Sequence, residues 1–382
     1  MTPVPSNTLY TKICDDISNT VKQLDYTKFL TPKNLHEENE TFLNSVNNGK
    51  VYNPLYTYEP YDIDFRLLKT LIQDNLKSLG NDPFDRMLRR LLLENEHLIE
   101  MYEFREAAAQ FTDAAKKAFG FPSPNIVKEA YNILTAPKKQ KGNINNIDSF
   151  SANDLREKIV AELERNGYSW KVLVNENQTT KVTVDEIKRT ISINGRKSYS
   201  ANDLSRLVVH EVGTHVVRAE NGRLQPYSCF ISGLANSLAT EEGLAVYAEY
   251  KNGLLEDETL RLYAGRVVAT HLADTKSFFE IFSELVQFLS EEQSLYITQR
   301  VKKGLGDTSS PGGFIKDYVY LDGYFAVSHF MQTATEYTPL YVGCVGLNDL
   351  EDVEYMIQNG LLNSKDIVIP DFLDKKDREK AG

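Results

Sequence analysis

The stretch His210-Glu211-Val212-Gly213-Thr214-His215 combines two imidazoles and one carboxylate in six consecutive residues. Neutral imidazole nitrogens bind zinc, and an adjacent carboxylate can hold and deprotonate a water molecule, so these are the side chains of a catalytic zinc site. Histidines five positions apart lie about 140° apart around a regular α-helix, which prevents both from binding one ion. A local i→i+5 turn returns them to one face, and Gly213 tolerates that distortion best. We therefore predict a π-bulged helix, and a regular helix would remove the site.

The helix that carries these residues has a recognisable start. Ser200 is followed three positions later by Asp203, which is the spacing of a capping box, and the apolar run LSRLVVHEVGTHVV comes next. Ser151 and Asp154 show the same spacing and predict another helix. Nothing else around the two boxes repeats, so we interpret them as one capping signal used twice.

A catalytic zinc site needs a third protein ligand and one open position. Two adjacent acids, Glu241 and Glu242, precede Gly243 at the predicted start of a further helix, and Glu242 lies 27 residues after His215. A glutamate directly before a glycine resembles the third ligand of gluzincin aminopeptidases, which favours Glu242. Glu211 is then expected to take a proton from the attacking water and pass it to the leaving amine.

Composition and charge narrow the class of partner. The chain has 382 residues, with 43 Lys+Arg against 54 Asp+Glu and a formal net charge of -11. Nucleic acid and anionic membrane are therefore not expected as partners. Three widely separated cysteines form no CxxC pair, and the N-terminus MTPVPSNTLY has no basic or apolar signal region. We predict a cytoplasmic protein.

The order of elements predicts an α+β protein that is mostly helical. A helix is expected near residues 10–30, a polar connector follows to about 60, and apolar residues recur at helical spacing over 62–119. The stretches WKVLV (170–174) and TISI (190–193) alternate as strands, which predicts a small mixed or antiparallel sheet.

The polar run PKKQKGNINNIDS marks the best boundary between domains. We predict a helical N-terminal region over residues 1–145 and a zinc peptidase catalytic region over 146–372. Residues 373–382 have almost no apolar side chains, and we expect them to be disordered.

Several segments together resemble one known family, the microtubule-associated tyrosine carboxypeptidase-like proteins. The likeness covers about residues 55–345 and rests on HEVGTH (210–215), TEEGLAVYAE (240–249), RVKKG (300–304) and GGFIKDYVYLDG (312–323). It implies a gluzincin-like zinc peptidase core with an added helical N-terminal region.

The resemblance also implies a ligand set and a substrate. It implies one Zn²⁺ per chain, bound by His210, His215 and Glu242, with Glu211 as the catalytic residue. Family members characterised in animals remove the C-terminal tyrosine of α-tubulin, so a peptide or protein C-terminus is the expected substrate and tubulin is a partner by resemblance alone. The tubulin tail is strongly acidic, so a chain with a net charge of -11 needs a local basic groove to bind it.

A carboxypeptidase needs a cation for the terminal carboxylate of its substrate. In the matching segments, Arg300 and Lys316 are the first candidates, with Arg218, Arg223 and Arg266 behind them. Tyr320 or Tyr324 is expected to donate to the tetrahedral oxyanion; we favour Tyr320 for catalysis and assign Tyr324 to substrate binding. Either WKVLV or TISI suits an edge strand that pairs with the substrate backbone.

Two other functions stay open. The first is an endopeptidase, which has the same metal chemistry but does not require a free C-terminus. The second is a non-catalytic, zinc-containing peptide-binding or regulatory module. A closed structural site needs a fourth protein ligand, and no cysteine has a suitable spacing from HEVGTH, which argues against the second function.

Overall fold

The computed structural model of the chain describes residues 7–24, 26–138, 149–176, 178 and 180–374. Most of these residues are helical and one small sheet completes the fold, so the predicted α+β class is confirmed. Most of the predicted boundary segment and of the predicted disordered tail lies outside the described residues, and both stay predictions. Within the described ranges, every helix is too short or too polar to cross a membrane.

The helices that precede the sheet are α1 (Thr8–Val21), α2 (Tyr26–Leu30), α3 (Leu35–Asn47), α4 (Phe65–Ser78), α5 (Pro83–Glu103), α6 (Ala108–Phe119), α7 (Pro124–Thr135) and α8 (Ala152–Arg165). The strands are β1 (Lys171–Asn175), β2 (Val182–Asp185) and β3 (Thr190–Asn194). After the sheet come α9 (Ala201–Leu207), a π-helix (Val208–Val216), α10 (Val217–Arg223), α11 (Cys229–Ser232), α12 (Ser237–Lys251), α13 (Asp257–Ala273), α14 (Phe278–Leu285), α15 (Glu291–Lys302), α16 (Val319–Thr333), α17 (Thr338–Tyr341), α18 (Leu350–Gln358) and α19 (Asp371–Asp374).

The N-terminal region differs from the prediction in two places. The single helix expected near 10–30 is two helices, α1 and α2. The expected polar connector contains α3, because Phe42 is fully buried and packs edge-on against Phe278 and Phe282. One apolar side chain of this size can fix a short polar helix to the core, since its burial contributes about 1.5–3 kcal/mol.

The N-terminal helices share a core with later parts of the chain. Apolar side chains from α1, α4, α5 and α6 form one cluster with residues around 227–235 and 342–362. Within it, the thiols of Cys14 and Cys229 are buried, with their Sγ atoms 2.7 Å apart, and all three cysteines are free. The helical region before residue 145 therefore packs directly against the part of the chain that carries the candidate site.

The three strands form a mixed sheet in the order β1-β3-β2, in which β1 runs parallel to β3 and β2 antiparallel to it. Strands β1 and β3 match the two predicted strands, and β2 is an additional strand that the alternation of Val182 and Val184 signals weakly. The prediction that TISI suits an edge strand is wrong, because β3 lies between the other two strands. WKVLV forms β1, which is an edge.

Two capping boxes begin the helices predicted from them. The Ser151 hydroxyl accepts from the backbone N–H of Asp154, and the Ser200 hydroxyl accepts from that of Asp203. In return, each aspartate carboxylate accepts from the backbone N–H of its serine. Both predictions are confirmed, and the second box fixes the start of the helix that leads into HEVGTH.

The acidic motif TEEGLAVYAE lies on α12, and the most extensive helix–helix contact joins α12 to α16. Two glycines permit this close approach. A Cβ atom on Gly323 would lie 1.8 Å from the carbonyl oxygen of Ala239, and one on Gly243 would lie 2.3 Å from the backbone of Gly323. The contact fixes Glu242, which is adjacent to Gly243, relative to Tyr320 on α16.

We expect Gly323→Ala to lower the free energy of unfolding by about 1–3 kcal/mol, because the added methyl group forces α12 and α16 apart. Urea denaturation of the two proteins measures this difference. Gly213→Ala is the matched control, since a Cβ atom there contacts only Val209, at 4.0 Å, and alanine favours a helix. Equal stability of Gly323→Ala and the control would contradict the close contact.

Candidate metal centre

The segment that carries both histidines is a π-helix, Val208–Val216, which continues from α9 and leads into α10. The predicted i→i+5 winding is confirmed, and it brings the ring centroids of His210 and His215 to 5.3 Å. The winding extends over nine residues and is not confined to a bulge at Gly213. That glycine has no positive φ and has room for a Cβ atom, so the π-helix does not depend on it sterically.

Each imidazole is held by a glutamate at its Nδ1 atom. The Nδ1 atom of His210 lies 2.7 Å from Oε1 of Glu249, and that of His215 lies 3.2 Å from Oε2 of Glu241. A carboxylate partner keeps the proton on Nδ1 and leaves the lone pair of Nε2 for another ligand. Both Nε2 atoms face Oε2 of Glu242, at 3.6 Å from His210 and 3.9 Å from His215.

Two buried arginines hold the glutamates that orient the histidines. Nη1 of Arg206 donates to Oε1 of Glu249 at 2.8 Å, and Nη1 of Arg218 donates to Oε1 of Glu241 at 2.5 Å. The Nη2 atom of Arg218 also donates to two carbonyl oxygens within residues 340–345. Arg218 and Glu249 are fully buried, so each imidazole is held by an ion pair with one fully buried member.

The electrostatics of the cluster favour positive charge where the Nε2 atoms point. Burial opposes the charged imidazole of His210, but Glu211, Glu242 and Glu249 outweigh burial and raise its pKa to about 10. Burial likewise opposes ionisation of Glu242, but His210 and His215 outweigh it and lower the pKa of this carboxyl to about 2. The carboxylates thus attract a cation strongly enough to overcome the cost of its burial.

The donor set fits a zinc ion on three counts. Donor atoms about 2.1 Å from a tetrahedral metal lie about 3.4 Å apart, which is close to the separations between Glu242 and the two imidazoles. The Oε2 atom of Glu242 is buried and has no hydrogen-bond partner among the described residues. Two imidazoles and a carboxylate are also the ligand chemistry of catalytic zinc.

Glu211 is an alternative to Glu242 as the third ligand. One possible ligand atom from each of His210, Glu211 and His215 lies within 4.8 Å of the other two. Glu242 is the better third ligand, since one of its oxygens faces both Nε2 atoms. That choice leaves Glu211 available to exchange protons with a water molecule.

Comparison with known proteins identifies a family for the chain. A family profile described as microtubule-associated tyrosine carboxypeptidase matches residues 40–381. The chain belongs to the microtubule-associated tyrosine carboxypeptidase family. The family match extends beyond the residues 55–345 on which the resemblance rests.

Curated relatives in this family carry the name microtubule-associated tyrosine carboxypeptidase 1. The chain is 28% identical to the protein from Rattus norvegicus over 274 residues, which are 67% of this chain and 56% of the relative. It is 27% identical to the protein from Mus musculus over 296 residues, 73% of this chain and 57% of the relative. The chain therefore spans about half the length of the curated relatives it matches.

Two of the residues expected to contact the substrate lie near the candidate metal centre: Tyr320, which is expected in catalysis, and Lys316, which is expected in substrate binding. Glu242 interacts electrostatically with both side chains. The ring of Tyr320 stacks on Tyr263, with centroids 5.3 Å apart and planes 10° apart. Arg266 places its guanidinium 4.5 Å from the centre of the Tyr320 ring. The structure thus brings Tyr320 beside the proposed third ligand.

Arg300 and Tyr324 have other neighbours. Arg300 donates from Nη2 to Oδ1 of Asp317 at 2.8 Å and from Nε to the other oxygen of that carboxylate. Its Nη1 atom donates to the hydroxyl of Tyr296 at 3.2 Å. The ring of Tyr324 packs against Tyr250 at 6.1 Å. These contacts favour a positioning role for Arg300 and leave the assignment of Tyr324 a prediction.

The sequence motifs do not include three residues that surround the two histidines: Glu249, Arg206 and Glu186. Glu249 follows Glu242 by seven residues, about two helical turns, and this spacing places both carboxylates on one face of α12. Arg206 precedes His210 by four residues. It therefore lies close to His210 on the helix and can pair with Glu249, the acid that contacts His210. Glu186, directly after β2, interacts with His215, and burial raises the pKa of this carboxyl to about 7. Only the fold reveals this third neighbour.

We expect Arg218→Leu to lower the free energy of unfolding by about 3–5 kcal/mol, because it leaves the Glu241 carboxylate buried without its partner. Denaturant titration measures the loss. The control is Arg165→Leu, whose side chain is 73% exposed beside Glu162 and whose replacement should change stability by less than about 0.5 kcal/mol. A loss no larger than that of the control would show that Glu241 does not depend on Arg218.

Proposed function

We propose that this chain is a zinc-dependent peptidase that acts as a carboxypeptidase on a peptide or protein C-terminus. The observation that supports it most is that the Nε2 atoms of His210 and His215, both on the π-helix, converge on Oε2 of Glu242 on α12. Membership in a family named for tyrosine carboxypeptidases favours removal of one residue, tyrosine, from the C-terminus.

In the proposed reaction, each residue of the site would have a separate role. His210, His215 and Glu242 would hold the metal, which when bound supplies a Lewis acid that polarises the carbonyl and activates water. Glu211 would accept a proton from the attacking water and deliver it to the leaving amine. Tyr320, which is partly exposed and interacts electrostatically with Glu242, would donate a hydrogen bond from its hydroxyl to the oxyanion that forms on the substrate carbonyl.

Tubulin is a proposed substrate, because the relatives are named as microtubule-associated proteins. The net charge of -11 opposes an acidic tail at long range. Lys316 interacts electrostatically with Glu242, and Arg266, Arg300 and Lys303 interact with Asp317, which is next to Lys316 in the chain. This group supplies the basic surface that an acidic C-terminus requires.

A peptide that ends in tyrosine, prepared as a free acid and as a C-terminal amide, tests the proposal. We expect release of tyrosine from the free acid and little turnover of the amide. Equal internal cleavage of both peptides would favour an endopeptidase. A protein that contains zinc and cleaves neither peptide would favour the non-catalytic module.

We expect Glu211→Gln to retain zinc and to lower kcat by at least about 100-fold, because the amide has no carboxylate to accept a proton. Metal content and turnover are measured on the same preparation. Glu354→Gln makes the same change at an exposed position of α18 and should leave both quantities unchanged. Turnover by Glu211→Gln at the rate of this control would refute the assignment of the base.

We expect Glu249→Gln to weaken zinc binding by about 10- to 100-fold, because the second partner of a histidine ligand orients its ring and raises its basicity. Competition with a chromogenic chelator measures the affinity. Unchanged affinity in Glu249→Gln would show that the contact between Glu249 and His210 does not support a metal ligand.

A further inference from the structure

A group of cationic side chains surrounds one buried carboxylate close to the metal centre. Asp317 is 4% exposed and interacts electrostatically with Arg300, Arg266 and Lys303. Lys303 interacts in turn with Lys316. We call these five residues the Asp317 cluster. Arg300 and Arg266 together carry more positive charge than the single carboxylate of Asp317 can balance, in a chain that is acidic as a whole.

Most of the cluster is already engaged. Arg300 pairs with both oxygens of Asp317, and the cations hold the pKa of this carboxyl well below its usual range despite its burial. The Nζ atom of Lys303 lies 4.4 Å from the centre of the Phe314 ring. Burial and the charge of Arg300 lower the pKa of this lysine to about 7. Asp317 therefore does not neutralise all the charge around it.

Arg266 differs from its neighbours because part of its guanidinium lacks a partner. Its Nε and Nη1 atoms are buried and make no hydrogen bond within the described structure. The side chain as a whole is partly exposed, so an anion that pairs with the two buried nitrogens has to enter along the exposed part of this side chain. A buried donor without an acceptor costs about 1–3 kcal/mol, and more when it is charged, and an anion would remove that cost.

Two tyrosine rings orient this guanidinium. Arg266 lies 4.5 Å from the centre of the Tyr320 ring and 5.3 Å from that of Tyr263, and the two rings are stacked. Contact through the face of a planar guanidinium leaves its edges for hydrogen bonds, which is the geometry that binds a carboxylate through two parallel N–H groups.

The same tyrosines connect Arg266 to the metal centre. Glu242 interacts electrostatically with both Tyr263 and Tyr320. Arg266 contacts the ring of Tyr320, and Tyr320 lies about one helical turn before Gly323, the residue that meets Gly243 next to Glu242. A peptide whose scissile carbonyl lies at the metal would place its terminal carboxylate a few ångströms further on, within the reach of such a group.

We propose that Arg266 binds the C-terminal carboxylate of the substrate, and that the pair of Arg300 and Asp317 positions it. The inference rests on the proposed carboxypeptidase function and deepens it, because it assigns the selectivity for a free C-terminus to one side chain. Arg266 takes the role for which Arg300 and Lys316 are the first candidates from sequence. Lys316 adds charge at longer range.

The test compares Arg266→Gln and Arg266→Lys with the unmodified chain, with peptides ending in tyrosine as free acid and as amide. We expect Arg266→Gln to raise KM for the free acid by about 10- to 100-fold, the loss of one charged hydrogen-bonded contact, with no change for the amide. Arg266→Lys should give an intermediate KM for the free acid, because lysine keeps the positive charge but lacks the two parallel N–H groups of the guanidinium. Arg165→Gln, at an exposed position of α8, is the matched control.

A binding measurement separates recognition from chemistry. In the Glu211→Gln background, calorimetry with the free acid and the amide should show a preference for the acid, and Arg266→Gln should abolish it. Zinc content and urea denaturation confirm that each variant keeps its metal and its fold.

The outcomes are distinguishable. If the unmodified chain cleaves neither peptide, the proposed function fails, and equal binding of acid and amide by Glu211→Gln then overturns the role of Arg266 as well. If the unmodified chain selects the free acid and Arg266→Gln retains the same selectivity, the inference about Arg266 is wrong although the carboxypeptidase function stands.

Discussion

Two histidines five residues apart can face one ion only where the helix between them is wound as a π-helix, and the whole site depends on that winding. A regular α-helix would separate His210 and His215 by about 140°. The nine-residue π-helix brings the rings together and directs both Nε2 atoms toward α12. π-Helices are rare and usually mark functional sites, so this segment must be stabilised by its surroundings.

Those surroundings are a layer of buried charge on α12 and its partners. Glu249 and Glu241 each hold one imidazole, and Arg206 and Arg218 hold the two glutamates. Because an unpaired buried charge is expensive, each link in these chains fixes the next one. The glycine contact between α12 and α16 then fixes Tyr320 beside the same acidic face. The π-helix and the crossing pair of α12 and α16 therefore position together the residues of the proposed site.

Much of the metal centre is predictable from sequence because its elements are local. The capping box at Ser200, the spacing within HEVGTH and the acid before Gly243 each lie within a few residues, and local rules of helix geometry apply to them. The length of the π-helix is not predictable in this way, since it depends on packing against α12. Helix α3 is missed for a related reason: the buried contacts of Phe42 are made with residues more than 200 positions away.

The hydrogen-bond partners of the candidate substrate-binding cations cannot be predicted from local sequence either, because they depend on how the helices pack. Sequence motifs place Arg300 ahead of Arg266 as a candidate. The fold reverses this order, because Asp317 engages Arg300 while two nitrogens of Arg266 have no acceptor in the part of the chain that the structure describes.

X-ray absorption at the zinc edge of the metal-loaded protein tests the central claim most directly. The π-helix arrangement predicts one zinc per chain with two imidazole nitrogens at about 2.0–2.1 Å, the remaining ligands being oxygen. A site with a single imidazole, a sulfur ligand at about 2.3 Å, or a protein that takes up no zinc would contradict the joint role of His210 and His215.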